Sequence, residues 1–438
     1  MSVRRRKVFY LPGFDPVPPR RYREIYRREG AAQAEISGYR LIFGPRRDRT
    51  GFGWGVTGEF GDHSIETEIE VLGWTDVVTA SMGQSIPATY GQLIRTAWTY
   101  ISTGAFGRMI GLRRGPVLAA LYPIVMLIGQ ALIALLAAGL ILRFALAALP
   151  LLAAIPIGIV AGLAAFWAIL VGFRRLDGRL FAYYLMHDFA FTARHGGAYP
   201  QILEDRLARF SARVAAVLDE GWDEVLVVGH SSGAYLAVSV MADLLRQRAA
   251  TEDNKQTGTH PALALLTLGH VVPMASFLPR AERLRADLAL LATSPDLAWV
   301  DVTAPGDACS FGLCDPVAVS GVAPEGAHNP LILSAAFTKT LSPEKQTALR
   351  NRWFRLHFQY LHAFDRPGDY DYFAITAGPL TLAGRYADRR PSPGRITRPV
   401  NRFTSMRAPA SAAGTASRHA DAAARVATSP SSRSVSSP

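Results

Sequence analysis

Cysteine is nearly absent: 438 residues include two, Cys309 and Cys314. So few thiols in so long a chain exclude a disulfide framework. The C-x-x-x-x-C pair has no companion Cys or His set, so no metal is expected, and the two read as reduced thiols beside a loop. Charge is scarce too, at 19% against 49% apolar residues. That excludes an extensively disordered chain. Acids are short above all near the C-terminus, where Arg389 to Pro438 holds nine arginines and one acid, Asp421. Most of the formal charge of +12 sits there. The body is too weakly basic for a nucleic-acid surface, so no nucleic-acid partner is expected. The opening MSVRRRKVFYLPGF has no apolar segment before Pro12, unlike a secretory signal.

What the chain does have is two long apolar runs. Val117 to Leu142 has Gln130 as its one strongly polar residue, and Phe144 to Phe173 carries no charge. Each exceeds the roughly 20 residues that cross a hydrocarbon core. Helix starts tolerate proline, and Pro150 and Pro156 lie early in the second run, so the second span is expected to begin near Leu151. A helical hairpin over 113–175 is predicted, with spans at about 117–142 and 151–173 joined by the short link Arg143 to Pro150. Arg113, Arg114, Arg174, Arg175 and Arg179 flank its base. The excess of basic residues puts both flanks, and so the soluble domain and both termini, on the cytoplasmic side of a bacterial-type inner or plasma membrane. The lipid bilayer is the expected partner. Upstream, Tyr90, Ile94, Trp98, Ile101 and Ala105 recur at helical spacing; both a membrane-surface helix and packing on the soluble core account for them.

Outside the hairpin the pattern is α/β. Lys7 to Leu11 reads as a buried strand, Arg20 to Ala34 as a helix, and Tyr39–Phe43, Gly53–Thr57 and Ser64–Leu72 as β segments. Glu68 and Glu70 alternate with Ile69 and Val71, the pattern of a half-exposed strand. Further on, helices over Asp177–Thr192, Tyr199–Asp219, Gly233–Gln247 and Arg280–Ala292 alternate with strands at Glu224–Val228, Ala262–Leu268 and Ala298–Thr303. That alternation implies a mostly parallel sheet covered by helices. Residues 1–112 and 176–388 would form one domain interrupted by the hairpin. A solvated linker is expected at Ala250–His260, and a disordered basic tail over 389–438.

The strongest chemical signal is Gly229-His230-Ser231-Ser232-Gly233 between an apolar strand and a helix. A strand turning sharply into a helix holds its middle residue in a strained conformation and projects the side chain. Small flanking residues let the backbones approach. Ser231 would then lie at a helix N-terminus, where N–H groups stabilise developing negative charge.

With this elbow and Leu11-Pro12-Gly13-Phe14, the chain resembles the α/β-hydrolase superfamily, particularly its lipases and esterases. The resemblance covers roughly residues 6–53 and 176–384, and leaves out the hairpin and tail. It implies a serine nucleophile at Ser231 and an oxyanion hole from the N–H groups of Ser232 and Phe14, with Gly13 giving backbone freedom. It also implies an acid and then a histidine downstream. Asp307, in a loop just past a strand, is the expected acid, with Asp301 and Asp315 as alternatives. His357 is the expected base, with His328 and His362 as alternatives. His230 should point away as a packing residue, and His270 reads as a core histidine or a site-lining one. The hairpin's position leaves open whether the early β segments join the same sheet.

The expected function is cleavage of an ester or thioester, possibly of a lipid, through an acyl-enzyme and without a cofactor. The alternative is an inert, membrane-tethered interaction module. Nothing in the sequence speaks to self-association. A reporter fused between Arg143 and Pro150 should signal from the non-cytoplasmic side; a cytoplasmic signal there would overturn the orientation.

Overall fold

The computed structural model describes residues 2–48, 50–252 and 260–409. Eight strands form one sheet: β1 (Arg5–Leu11), β2 (Arg40–Gly44), β3 (Phe52–Phe60), β4 (His63–Val71), β5 (Glu224–His230), β6 (Ala262–Leu268), β7 (Leu297–Thr303) and β8 (Leu331–Ser334). Their order is β2-β3-β4-β1-β5-β6-β7-β8. Pairings among β2, β3 and β4 are antiparallel, and every pairing from β4 to β8 is parallel. The early β segments therefore belong to the main sheet. The hairpin is inserted between β4 and β5, which leaves the β1–β5 pairing intact.

Both faces of the sheet are covered. In β1, Phe9 and Leu11 pack in one layer and Val8 and Tyr10 in the other. This two-sided burial is why KVFYL reads as a continuous apolar run. The first layer holds helices Gln201–Ala215, Ser232–Glu252 and Glu282–Ala292; the second holds Arg20–Ser37 and Tyr372–Ala377.

β4 differs from the half-exposed strand expected. Glu68 and Glu70 are buried. Lys7 Nζ lies 3.0 Å from Glu68 and 3.6 Å from Glu70, and Arg46 and Arg213 also pair with Glu70. Cations from β1 and two other segments make burial of these acids possible. A second buried pair joins Arg6 to Glu224, where Arg6 also donates to the carbonyls of Gly378 and Leu380. The segment expected as one helix over Asp177–Thr192 is broken at Phe181, whose φ is 55°.

The hairpin helices span Arg114–Ala148 and Leu151–Arg175, and both are long and apolar enough to cross a membrane. The first runs through Arg143, so the turn is Leu149–Pro150 and not the longer link expected. Gly162 packs against Ala138 and Gly158 against Leu142, which fixes the antiparallel register. Arg174 and Arg175 consequently lie level with about residue 125 of the first helix. The dozen or so residues before that level form a stalk of about 18 Å. The stalk's beginning abuts the sheet domain: Gly115 packs on Ala308, and Arg113 Nε donates to the Gly312 carbonyl. Hydropathy alone did not separate this stalk from the span.

The first described part of the basic tail is ordered, contrary to expectation. Ser392 N–H donates to Ile332, Ile396 bridges to Cys314, and Asn401 donates to carbonyls of Ser276 and Ser320. Residues 410–438, and most of the expected linker at 253–259, lie outside the described residues.

Arg6→Met would leave the Glu224 carboxylate buried without its partner, a loss of about 3–5 kcal/mol. Thermal unfolding of the detergent-solubilised protein should show a clearly lowered midpoint, with Arg6→Met/Glu224→Leu recovering part of it. An unchanged midpoint for the single variant would contradict this reading of the pair.

Candidate active site

The strand order reverses between β1 and β5: from β1 the chain passes to the edge strand β2 and works back through β3 to β4 beside β1, then crosses to β5 on the other side of β1 and runs outward to β8. In open α/β sheets the crevice beyond the strands' carboxyl ends at such a point is the favoured ligand site. Here it receives Pro12 to Phe14 after β1 and Ser231 after β5.

Ser231 has φ 59°, a conformation that costs a non-glycine residue about 1–3 kcal/mol. Its N–H donates to the Leu268 carbonyl, which holds the bend, and helix Ser232–Glu252 starts at the next residue. The small residues have a definite cause. A Cβ on Gly233 would lie 2.3 Å from the Leu11 carbonyl oxygen, and one on Gly229 2.5 Å from the Gly233 carbonyl oxygen. One on Gly13 would meet Ser231 Cβ at 3.0 Å. Trp74 Nε1 donates to Pro12 and pins that loop.

The Asp307 loop follows β7. Asp307 Oδ2 accepts from His357 Nδ1 at 2.8 Å and from the Tyr360 hydroxyl at 3.0 Å, and Oδ1 accepts from the Cys309 N–H at 2.9 Å. Burial works to raise the Asp307 carboxyl. The His357 ring and the hydrogen bonds from His357, Cys309 and Ser310 more than offset it, and the carboxyl stays below its ordinary range. His357 closes a one-turn helix, Trp353–His357, not the end of a strand. His230 is buried, with its ring centroid 4.8 Å from that of His357 and Nε2 3.0 Å from the His357 carbonyl oxygen. Burial and the neighbouring ring depress His230 to about 3, so it is neutral and donates that hydrogen bond. His230 packs on the His357 ring and holds that residue's backbone, but it also lines the cavity, so it does not point away as expected.

Ser231, Ser232, His357, Gly13 and Phe14 line one cavity of about 530 Å³. Ser231 Oγ and His357 Nε2 make no hydrogen bond among the described residues. Such contacts are commonly loose before substrate binds. The Phe14 N–H, expected as an oxyanion donor, instead donates to Ser232 Oγ at 2.9 Å. A substrate oxygen would have to take the place of that hydroxyl.

The alternatives lie elsewhere. Asp301 is inside β7, accepts from the Thr267 hydroxyl at 2.6 Å, and is raised by burial to about 6. Asp315 caps helix Pro316–Val319. His328 precedes β8, at the opposite edge of the sheet, and bonds to the Ser294 carbonyl. His362 bonds to the Phe358 carbonyl. His270 is buried against the Cys314 carbonyl and is a core residue.

Two residues in the site were not anticipated. Tyr360 orients Asp307 while its oxygen accepts the Ala304 N–H at 2.9 Å. Asp188 lines the cavity with no hydrogen bond to its carboxyl among the described residues. Burial raises it to about 7, against a lowering pull from His357. Neither carries a local motif.

Asp307, Cys309 and His357 also offer ligand atoms within 4.8 Å of one another, enough for a metal ion by distance. The chemistry fits poorly. Asp307 Oδ2 already serves His357 and Tyr360, and burial pushes the Cys309 thiol well up, away from the thiolate a metal needs.

Compared with protein-family models, with curated proteins and with solved structures, the chain matches none of them.

Tyr360→Phe would strand the buried Ala304 N–H and remove one donor to Asp307. A stability loss of about 1–3 kcal/mol is expected in chemical unfolding. No loss would mean that the Tyr360 hydroxyl is not part of the relay's support.

Proposed function

We propose that the protein is a membrane-anchored serine hydrolase of the α/β-hydrolase type, cleaving an ester or thioester. The observation that supports this most is the buried Asp307–His357 hydrogen bond in a cavity shared with Ser231, which sits on a positive-φ turn.

In this reading His357 Nε2 takes the Ser231 proton as Oγ bonds to the carbonyl carbon. The oxyanion forms against the Ser232 N–H, the first of its helix, and the Phe14 N–H. Each such donor is worth about 3–4 kcal/mol to the transition state. Asp307 holds the imidazole in the tautomer with Nδ1 protonated and stabilises the imidazolium. The imidazolium gives its proton to the leaving alcohol or thiol as the bond from carbonyl carbon to leaving atom breaks. Water, deprotonated by the same ring, then releases the acid and restores Ser231. The cavity's apolar side chains, among them Phe181, Leu185, Phe189 and Met274, suit an acyl chain.

The two long apolar helices support anchoring in a bilayer, with the sheet domain on the cytoplasmic side. The middle of the Tyr90–Ala105 stripe supports it too. Ile94, Trp98 and Ile101 are exposed, while Ile86, Leu93 and Tyr100 form that helix's buried face. Core packing accounts for Tyr90 and for Ala105, which is buried at the start of the next helix, but not for Ile94, Trp98 and Ile101. Tyr90 Oη donates to the Leu127 carbonyl, close to the level of Arg174 and Arg175, which suits a helix at the membrane surface.

Hydrolysis of a short-chain nitrophenyl ester tests the assignment. Ser231→Ala and His357→Ala should each lower kcat by at least about a thousandfold. Ser232→Ala keeps its backbone N–H and should stay within about tenfold of wild type. Loss of activity only in Ser232→Ala would place the nucleophile one residue away. Equal activity in all four proteins would leave the tethered, inert module as the better account.

A further inference from the structure

The cavity lies where the anchor meets the sheet domain. Pro116, Ala119 and Tyr122 lie along one side of the stalk and form one of its walls. Tyr122 Oη donates to the Leu180 carbonyl, which ties the stalk to the segment leaving the second long helix. Tyr122 is one turn from the level of Arg174 and Arg175. The mouth therefore opens beside the plane where the hairpin would leave the bilayer.

The polar groups of the cavity are sorted by depth. At the rim, Arg179, Arg352 and Arg355 are exposed, and none has an ion-pair partner among the described residues. Trp353, between two of them, is 43% exposed. An unpaired basic cluster with an exposed indole is the composition of a surface facing anionic headgroups. Farther in stand two acids. Asp15 is buried, accepts from the Tyr22 hydroxyl and lies 3.9 Å from the Arg21 guanidinium, and Asp188 is half-buried beside the His357 ring. Among the cavity-lining residues the arginines stand at the edge and the acids farther in, so an anion finds its counter-charge at the edge.

We propose that the substrate is an acyl lipid with an anionic phosphate headgroup. It is drawn sideways from the adjoining leaflet, its phosphate held at Arg179, Arg352 and Arg355 while an acyl chain enters the apolar cavity toward Ser231. This deepens the hydrolase reading and rests on it for the reaction, but the binding geometry stands separately. The charge order fixes the orientation as head outward and chain inward.

Binding tests it without turnover. Ser231→Ala protein in maltoside micelles is titrated with a fluorescent single-chain alkyl phosphate and with the phosphocholine of equal chain length. The alkyl phosphate should bind at least about tenfold more tightly, and removing each rim arginine as Gln should cost about fivefold. Arg352→Lys/Arg355→Lys should keep most of the preference, which separates lost charge from lost folding. Millimolar inorganic phosphate should not displace the probe, because it has no chain for the cavity. Equal binding of the two probes, indifference to the Gln variants, or displacement by inorganic phosphate would each overturn the proposal. If the alkyl phosphate binds as expected but wild type hydrolyses no ester, the hydrolase reading fails and the lipid site stands. Ester hydrolysis without headgroup preference is the opposite result.

Discussion

The site depends on how closely three backbones meet at the sheet's carboxyl edge. The turn after β1, the bend after β5 and the first turn of the helix at Ser232 come within van der Waals contact. Glycines at 13, 229 and 233 are what allow it. A side chain at any of them would separate Ser231 from the Phe14 amide or lift the elbow helix off its strand. The strain in Ser231 is maintained by what surrounds it: a hydrogen bond to Leu268, a fully buried strand beneath, and a long helix behind. Asp307 is placed by the loop after β7 and His357 by a one-turn helix well beyond β8, and their hydrogen bond sets the imidazole in the cavity that Ser231 lines.

The helical hairpin is part of the site's construction. The stalk contacts Ala308, next to the carboxylate that orients His357, and supplies a wall of the cavity. Aromatic contacts of Phe354 with Phe181 and Tyr184 join the His357 helix to the segment leaving the hairpin. The candidate site and the two long apolar helices are thus joined by direct packing. In the functional reading proposed, this coupling is what lets a lipid reach a soluble-type hydrolase pocket without crossing water.

Legibility in the sequence followed the range of the interaction. The elbow, its flanking strand and helix, and the apolar hairpin are local patterns, and Ser231 stood out for that reason. Asp307 and His357 were chosen from their loop settings together with a family resemblance. The structure brings these two into contact, whereas Asp301, Asp315, His328 and His362 have other partners. Contacts across the fold were invisible. Tyr360 reaches Asp307 over 53 positions, and the Phe14 amide meets the Ser232 hydroxyl over 218. Glu68 and Glu70 read as exposed because their counter-ions come from β1, Arg46 and Arg213. Arginine and proline content suggested disorder from Arg389, yet single anchors such as Ser392, Ile396 and Asn401 fasten that segment as far as residue 409. Hydropathy marked the apolar helices but not that the first extends about a dozen residues beyond the base of the second, which the packing of Gly158 and Gly162 indicates.

The central claim is that Ser231 carries an activated hydroxyl open to the cavity. Reaction of the full-length protein with a fluorophosphonate, followed by peptide mass mapping, reads it directly. The account predicts one phosphonyl adduct, on Ser231, slowed severely when His357 is replaced. An adduct elsewhere with Ser231 untouched, or a Ser231 adduct forming as fast without His357, would contradict it.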